Sequence, residues 1–212
     1  MQIEGRNPKM KFQLKGKVIF FATNNVNKFN EARSILTEYD IAVGMLRVKA
    51  LEIQSDSLSE IAQASVIDAF KRCNLPVIVE DAGLFIDALK GFPGPYAAYV
   101  YKTISNPGIL KLMENVKDRK AVFQSAIAYY DGQSAPVCFE GEAAGRIASD
   151  ERWGTGKSGF GFDPIFEPSG SKKTFAEMTI EEKNGFSHRA NAIRKFAEWY
   201  KKTQISTPAA LT

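Results

Sequence analysis

The sequence predicts an α/β fold built on a mixed β-sheet. Two observations carry this: strand-like and helix-like stretches alternate β-α-β-α through the first part of the chain, and two Val-, Phe-, Tyr- and Ile-rich segments flank Asp131-Gly132 as an antiparallel hairpin.

Each element has its own signal. Val18 to Ala22 is a continuous apolar run stopped by Thr23-Asn24-Asn25, as in a buried strand. Ala32, Ile35, Leu36 and Tyr39 then fall at i, i+3, i+4 and i+7, which predicts a helix from about Asn27 to Tyr39. Residues 41–48 read as a second strand. From Ser57 to Arg72 the spacing is helical again, with Ser57 as N-cap and Glu60 placed for a capping box. Pro76 ends that region, and Val77-Ile78-Val79 predicts a short strand that delivers Glu80-Asp81 at its C-terminal end. Gly91-Phe92-Pro93-Gly94-Pro95 forms a rigid turn before helical stretches from about Tyr96 and Pro107. Residues 121–130 and 136–147 make the hairpin. Four glycines between Gly154 and Phe162 mark a loop, and Ala190, Ile193, Ala197 and Tyr200 line the inner face of a last helix over Ser187 to Lys202.

At 212 residues the chain suits one large core or two joined lobes. Its net charge of +4 is too small to announce a nucleic-acid binder, although it suits a small polyanion. Two cysteines exclude a Cys₄ zinc site and one histidine excludes a histidine metal cluster, so any metal is expected to be hard and carboxylate-held, Mg²⁺ first and Mn²⁺ as the alternative. No apolar run approaches the ~18–20 residues that span a bilayer, and a cytoplasmic location is expected. Ile3-Glu4-Gly5-Arg6 matches a protease site used in recombinant expression, so residues 1–16 are set apart as an extension whose native origin is open; 17–204 is expected to be one domain and 205–212 a flexible tail.

Four constellations have chemical potential. Thr23-Asn24-Asn25-Val26-Asn27-Lys28 joins a strand to a helix, where free N–H groups, amide side chains and a lysine suit a phosphate, or simply cap the helix. Glu52, Glu80 and Asp81 are hard-metal donors, and the strand pleat sends Glu80 and Asp81 to opposite faces, so at most one is expected to enter a given cleft. Phe160-Gly161-Phe162-Asp163 offers a flat surface for a heterocycle beside an acceptor. Lys183 and Ser187-His188-Arg189 gather donors at the start of the last helix.

In order along residues 17–200, Thr-Asn-Asn-x-x-Lys, Val-Glu-Asp-x-Gly-Leu, Gly-Phe-Pro-Gly-Pro-Tyr, Gly-Phe-Gly-Phe-Asp-Pro-Ile-Phe, Thr-Phe-Ala-Glu-Met and Glu-Glu-Lys-Asn-x-x-Ser-His-Arg resemble the inosine triphosphate pyrophosphatase family, which removes non-standard purine nucleoside triphosphates. The resemblance implies an elongated mixed sheet flanked by helices, two lobes with an active-site cleft between them, and a homodimer. It implies that Thr23, Asn24, Asn25 and Lys28 hold the triphosphate. Glu52 and Asp81 match the metal-associated acids, with Asp81 as general base. Phe160, Gly161, Phe162 and Asp163 match the base wall, and Lys183, Ser187, His188 and Arg189 the remaining nucleotide contacts. Asn24 stands where many relatives have Gly, and Ala82, beside the catalytic acid, where many have Ser. A lysine common on the helix after Glu52 is missing, since Lys71 sits near the wrong end.

The implied reaction is hydrolysis of ITP, dITP or XTP to monophosphate and pyrophosphate, with Arg189 and His188 donating to the 6-oxo group and so rejecting adenine. Pyrophosphatase action on other modified nucleotides is the nearer alternative. A nucleic-acid-binding module, motivated by Arg189, Arg194, Lys195, Lys201 and Lys202 on the last helix, is the more distant one, and no stable nucleic-acid complex or membrane partner is expected.

Overall fold

The computed structural model describes residues 18–155 and 159–205; the extension 1–16 and the tail beyond 205 lie outside them, as does Gly156 of the glycine-rich loop. Seven strands form one mixed sheet in the order β2-β1-β3-β5-β6-β7, with β4 pairing β3 separately. The strands are β1 (Val18–Ala22), β2 (Ala42–Leu46), β3 (Val77–Ile86), β4 (Pro93–Gly94), β5 (Lys120–Tyr130), β6 (Val137–Ile147) and β7 (Phe166–Pro168). Strand β1 runs parallel to β2 and β3, and every other pairing is antiparallel. The helices are α1 (Val26–Glu38), α2 (Leu58–Cys73), α3 (Ala97–Thr103), α4 (Ser105–Leu112), α5 (Ile180–Asn184) and α6 (His188–Ile205).

The two crossover helices lie on opposite faces of the sheet. Ile35 and Leu36 of α1 pack with Ile193 and Phe196 of α6 against Ile19, Phe21, Ile78 and Ile127. Ala62, Val66 and Ala69 of α2 pack against Val77, Val79, Ala126 and Ala128 on the other face. A third cluster, Leu84, Ile86, Ile109, Met113, Phe123, Phe166 and Phe175, fills the far end beneath α3 and α4. Two packed regions thus share one sheet.

Strand β3 departs most from expectation. It continues to Ile86, because β5 pairs with it residue by residue from Val77↔Tyr130 to Ile86↔Ala121. Glu80 and Asp81 therefore sit in mid-strand. The capping box at α2 is half formed: Ser57 Oγ accepts from Glu60 N, whereas the Glu60 carboxylate bonds the Ser55 hydroxyl.

Two glycines set the site's geometry by close approach. A Cβ on Gly141 of β6 would fall 2.3 Å from the His188 carbonyl oxygen and 2.4 Å from Ala192 N, so the first turns of α6 lie directly on the sheet there. On Gly83 it would fall 2.6 Å from Gly94 O, which brings β4, and α3 behind it, onto β3.

Candidate active site

Strand β1 pairs with β3 only at Phe20↔Val77 and Phe21↔Ile78. Beyond Ile78 that edge of β3 has no β1 partner, and a cleft opens around it. One part, about 230 Å³, is lined by Thr23, Asn24, Asn25, Lys28, Lys49, Glu52, Glu80 and Asp81. The other, about 320 Å³, is lined by Asn25, Lys28, Ala82, Tyr101, Phe123, Phe160, Gly161, Phe162, Asp163, His188 and Arg189. Asn25 and Lys28 belong to both. The expectation that only one of Glu80 and Asp81 reaches a given cleft is corrected here, because the cleft wraps the open edge of the strand.

Local structure uses part of the first constellation's polar capacity. Asn25 is the N-cap of α1, its Oδ1 accepting from Asn27 N at 2.9 Å and Lys28 N at 3.2 Å, while Thr23 Oγ1 accepts from Asn25 N at 3.1 Å. Two N–H groups expected to face a phosphate are therefore taken by Asn25. The Lys28 ammonium remains at the cleft, 3.0 Å from Glu80 Oε2.

Behind this wall a chain of ion pairs crosses the protein interior. Glu80 Oε1 accepts from Ser125 Oγ and lies 2.9 Å from Arg189 Nε. Arg189 reaches Glu31 through Nη1, and Lys183 Nζ bonds Glu31 Oε1 at 2.8 Å and Asp163 Oδ2 at 2.6 Å. Asp163 Oδ2 also accepts from Phe160 N, which fixes the Phe160 loop. Lys183 and Arg189 lie 4.9 and 5.4 Å from the Phe160 ring centroid, within cation–π range. Lys183 and Ser187, 3% and 0% exposed, satisfy their polar groups inside the protein, Ser187 Oγ accepting from Ala190 N in the first turn of α6.

Charge states follow from these neighbours. Burial alone would raise Glu80, but Arg189 and Lys28 outweigh it and hold the carboxyl well below the usual range. Burial also opposes ionisation of Glu31, and Arg189 and Lys183 likewise hold it low. Asp81 has no such clamp. Burial pushes it up to about 7, Glu80 and Glu52 add to the rise, and Lys28 only partly opposes them. Its Oδ2 is buried without a hydrogen-bond partner. Burial and the Arg189 charge keep His188 neutral, its ring stacked on Phe123 at 4.7 Å and 9°.

Residues 19–199 match the family model described as the Ham1 family. The chain belongs to the Ham1 family. Among its relatives, the dITP/XTP pyrophosphatase of Methanopyrus kandleri is 51% identical over 183 residues, covering 86% of this chain and 96% of that protein. That of Thermococcus kodakarensis is 50% identical over 181 residues, covering 85% and 96%. Among solved structures, the Staphylococcus aureus Ham1 protein superposes with a TM-score of 0.74 at 31% identity, covering 88% of this chain and 100% of that one.

Sequence reasoning about this Ham1 chain missed four residues. Glu31 anchors the buried charges, and its signal was a carboxylate four residues before Ile35, inside the apolar stripe of α1. Lys49 lines the acid-bearing part of the cleft and brings a second lysine there, whereas Lys71, in the last turn of α2, does not line it. Tyr101 and Phe123 complete the aromatic part; the sequence placed them only in a helical stretch and a hairpin strand. Among the described residues no three His, Cys, Asp or Glu side chains gather closely enough to hold a metal by themselves, and no helix is long and apolar enough to cross a membrane.

Proposed function

We propose that this chain hydrolyses non-standard purine nucleoside triphosphates, of the ITP, dITP and XTP type, to the monophosphate and pyrophosphate. The observation that carries the reading is the joining, through Asn25 and Lys28, of a lysine- and carboxylate-lined space to an aromatic-walled one. A triphosphate fits the first and a purine the second. Relatives at about half identity bear the name dITP/XTP pyrophosphatase.

The acid-lined space suits a hard divalent cation, since Asp81 Oδ2 is buried and unpartnered and Glu52 lines the same space. Mg²⁺, with Mn²⁺ as substitute, is the proposed ion; Mg²⁺ sites typically combine one or two carboxylates with substrate phosphates. Bound there, it supplies neutralisation of phosphate charge.

The protein's own groups do the rest. Asp81 orients a water and takes its proton as the water attacks the α-phosphorus. The α–β anhydride bond breaks and pyrophosphate leaves with the electron pair, its charge met by Lys28 and Lys49. Phe160 stacks on the base. Arg189, immobilised by Glu31 and Glu80, and neutral His188 present donors to a 6-oxo group; the 6-amino group of adenine would leave those buried donors unpaired. We carry the reading to a cytoplasmic homodimer that forms no stable nucleic-acid complex.

Purified protein with Mg²⁺, offered ITP, dITP, XTP, GTP, ATP and UTP, is expected to release monophosphate and pyrophosphate in equal amounts, with ITP, dITP and XTP far ahead of ATP. Orthophosphate with a diphosphate product overturns the α–β cleavage.

A further inference from the structure

A second charged cleft lies on the face of the sheet opposite Glu80, Phe123 and His188. It measures about 610 Å³, within the range of small-ligand sites, and is lined by Lys120, Arg146, Arg152, Glu167, Lys172 and the turn Pro168–Ser171. Lys120 of β5 pairs directly with Arg146 of β6, and Arg146 with Glu167 of β7, so the three share one row on the same face of the sheet. Like charges directly opposite each other in an antiparallel pair are destabilising. The fold nonetheless adds two more cations beside this pair.

Glu167, 8% exposed, holds Arg146 Nε with one carboxylate oxygen and Arg152 Nη2 with the other, aligning the two guanidinium groups. Arg152 also lies 3.4 Å from Glu177 and donates to Lys172 O. Four cations therefore face two carboxylates. Among the described residues Lys120 and Lys172 make no ion pair, and Gly170, at φ +88°, turns the backbone between the hydroxyls of Ser169 and Ser171. A structural role for Glu167 explains the two arginines but not the two unpaired lysines at the same rim. None of the lining residues is aromatic, in contrast to the walls of the nucleotide cleft.

We infer that this cleft is a second anion site, separate from the nucleotide cleft, that takes small inorganic polyphosphates of the pyrophosphate class. Arg146 and Arg152 supply planar donors to phosphate oxygens, and Lys120 and Lys172 supply point charges. The inference does not depend on the activity proposed above.

The test is calorimetric titration with inorganic pyrophosphate, without divalent metal, of wild type, K28A, K120S/K172S and K120R/K172R, each first shown folded by its melting curve. A binding component is expected that K28A and K120R/K172R retain and K120S/K172S weakens at least ten-fold, with affinity falling as salt rises. Hydrolysis by K120S/K172S is expected within two-fold of wild type. A component untouched by K120S/K172S, or none in K28A, overturns the inference; so does loss of turnover together with the component, which would place it in the nucleotide cleft.

Discussion

Asp81 is the residue on which the proposed chemistry turns, because, unlike Glu80, it has no ion pair among the described residues. Glu80 beside it is held ionised by Arg189 and Lys28, whereas Asp81 titrates near 7 against an ordinary value of 3.8. Two consequences follow for Asp81→Asn. Turnover should fall by ~10²–10⁴ with the fold intact, and near-normal turnover would remove Asp81 from the base role. A carboxyl whose folded pKa lies above its unfolded value favours the folded chain in its protonated form. Its contribution is full below the unfolded value and is lost as pH rises through about 7. Metal-free wild type should therefore lose melting temperature relative to Asp81→Asn between about pH 5 and pH 8; parallel melting profiles over that span would contradict the shift. The sequence named Asp81 and Lys28 through local motifs. It did not reveal Glu31, since nothing local shows that its partners, Lys183 and Arg189, stand more than 150 positions away.

At the level of elements, helix α6 and strand β3 place the site. The inner face of α6 was legible from its 3.6-residue period, and Ala190, Ile193, Ala197 and Tyr200 are all buried. The length of β3 was not, because the acids at its centre read as a strand end, and the pairing that extends the strand comes from β5, more than 30 residues on. Equally hidden was the contact of α6 with Gly141, which aims His188 and Arg189 at the cleft. Gly141→Ala puts a methyl against the backbone of His188 and Ala192, neither of which can yield as a flexible side chain would. Overpacking of this kind costs about 1–3 kcal/mol. Here the displaced part carries His188 and Arg189, the residues proposed to read the base, so kcat/KM for ITP, measured well below the melting temperature, should drop at least ten-fold. A variant that loses only stability would show that α6 shifts without moving His188 and Arg189.

Over the whole molecule, the sequence conveyed a mixed α/β architecture through the β-α-β-α alternation and the hairpin, yet it could not show how many cores the sheet would carry. Strand β5 contributes to all three: Ala121 and Phe123 to the cluster under α3 and α4, Ala126 and Ala128 to the one beneath α2, and Ile127 and Tyr129 to the one beneath α1 and α6. The alternating pleat lets one strand serve both faces, and its length of eleven residues lets it cross from one packed region to the other. The charge chain from Lys28 to Asp163 spans the same boundary. Neither region can then unfold and leave the other its full core. Scanning calorimetry should give one transition with calorimetric and van't Hoff enthalpies in agreement. Met113→Ala, far out in the third cluster, should lower that single transition by the equivalent of about 2–5 kcal/mol. A split into two transitions in that variant would mean that the regions fold independently and that the cleft between them is held by the nucleotide rather than by the sheet.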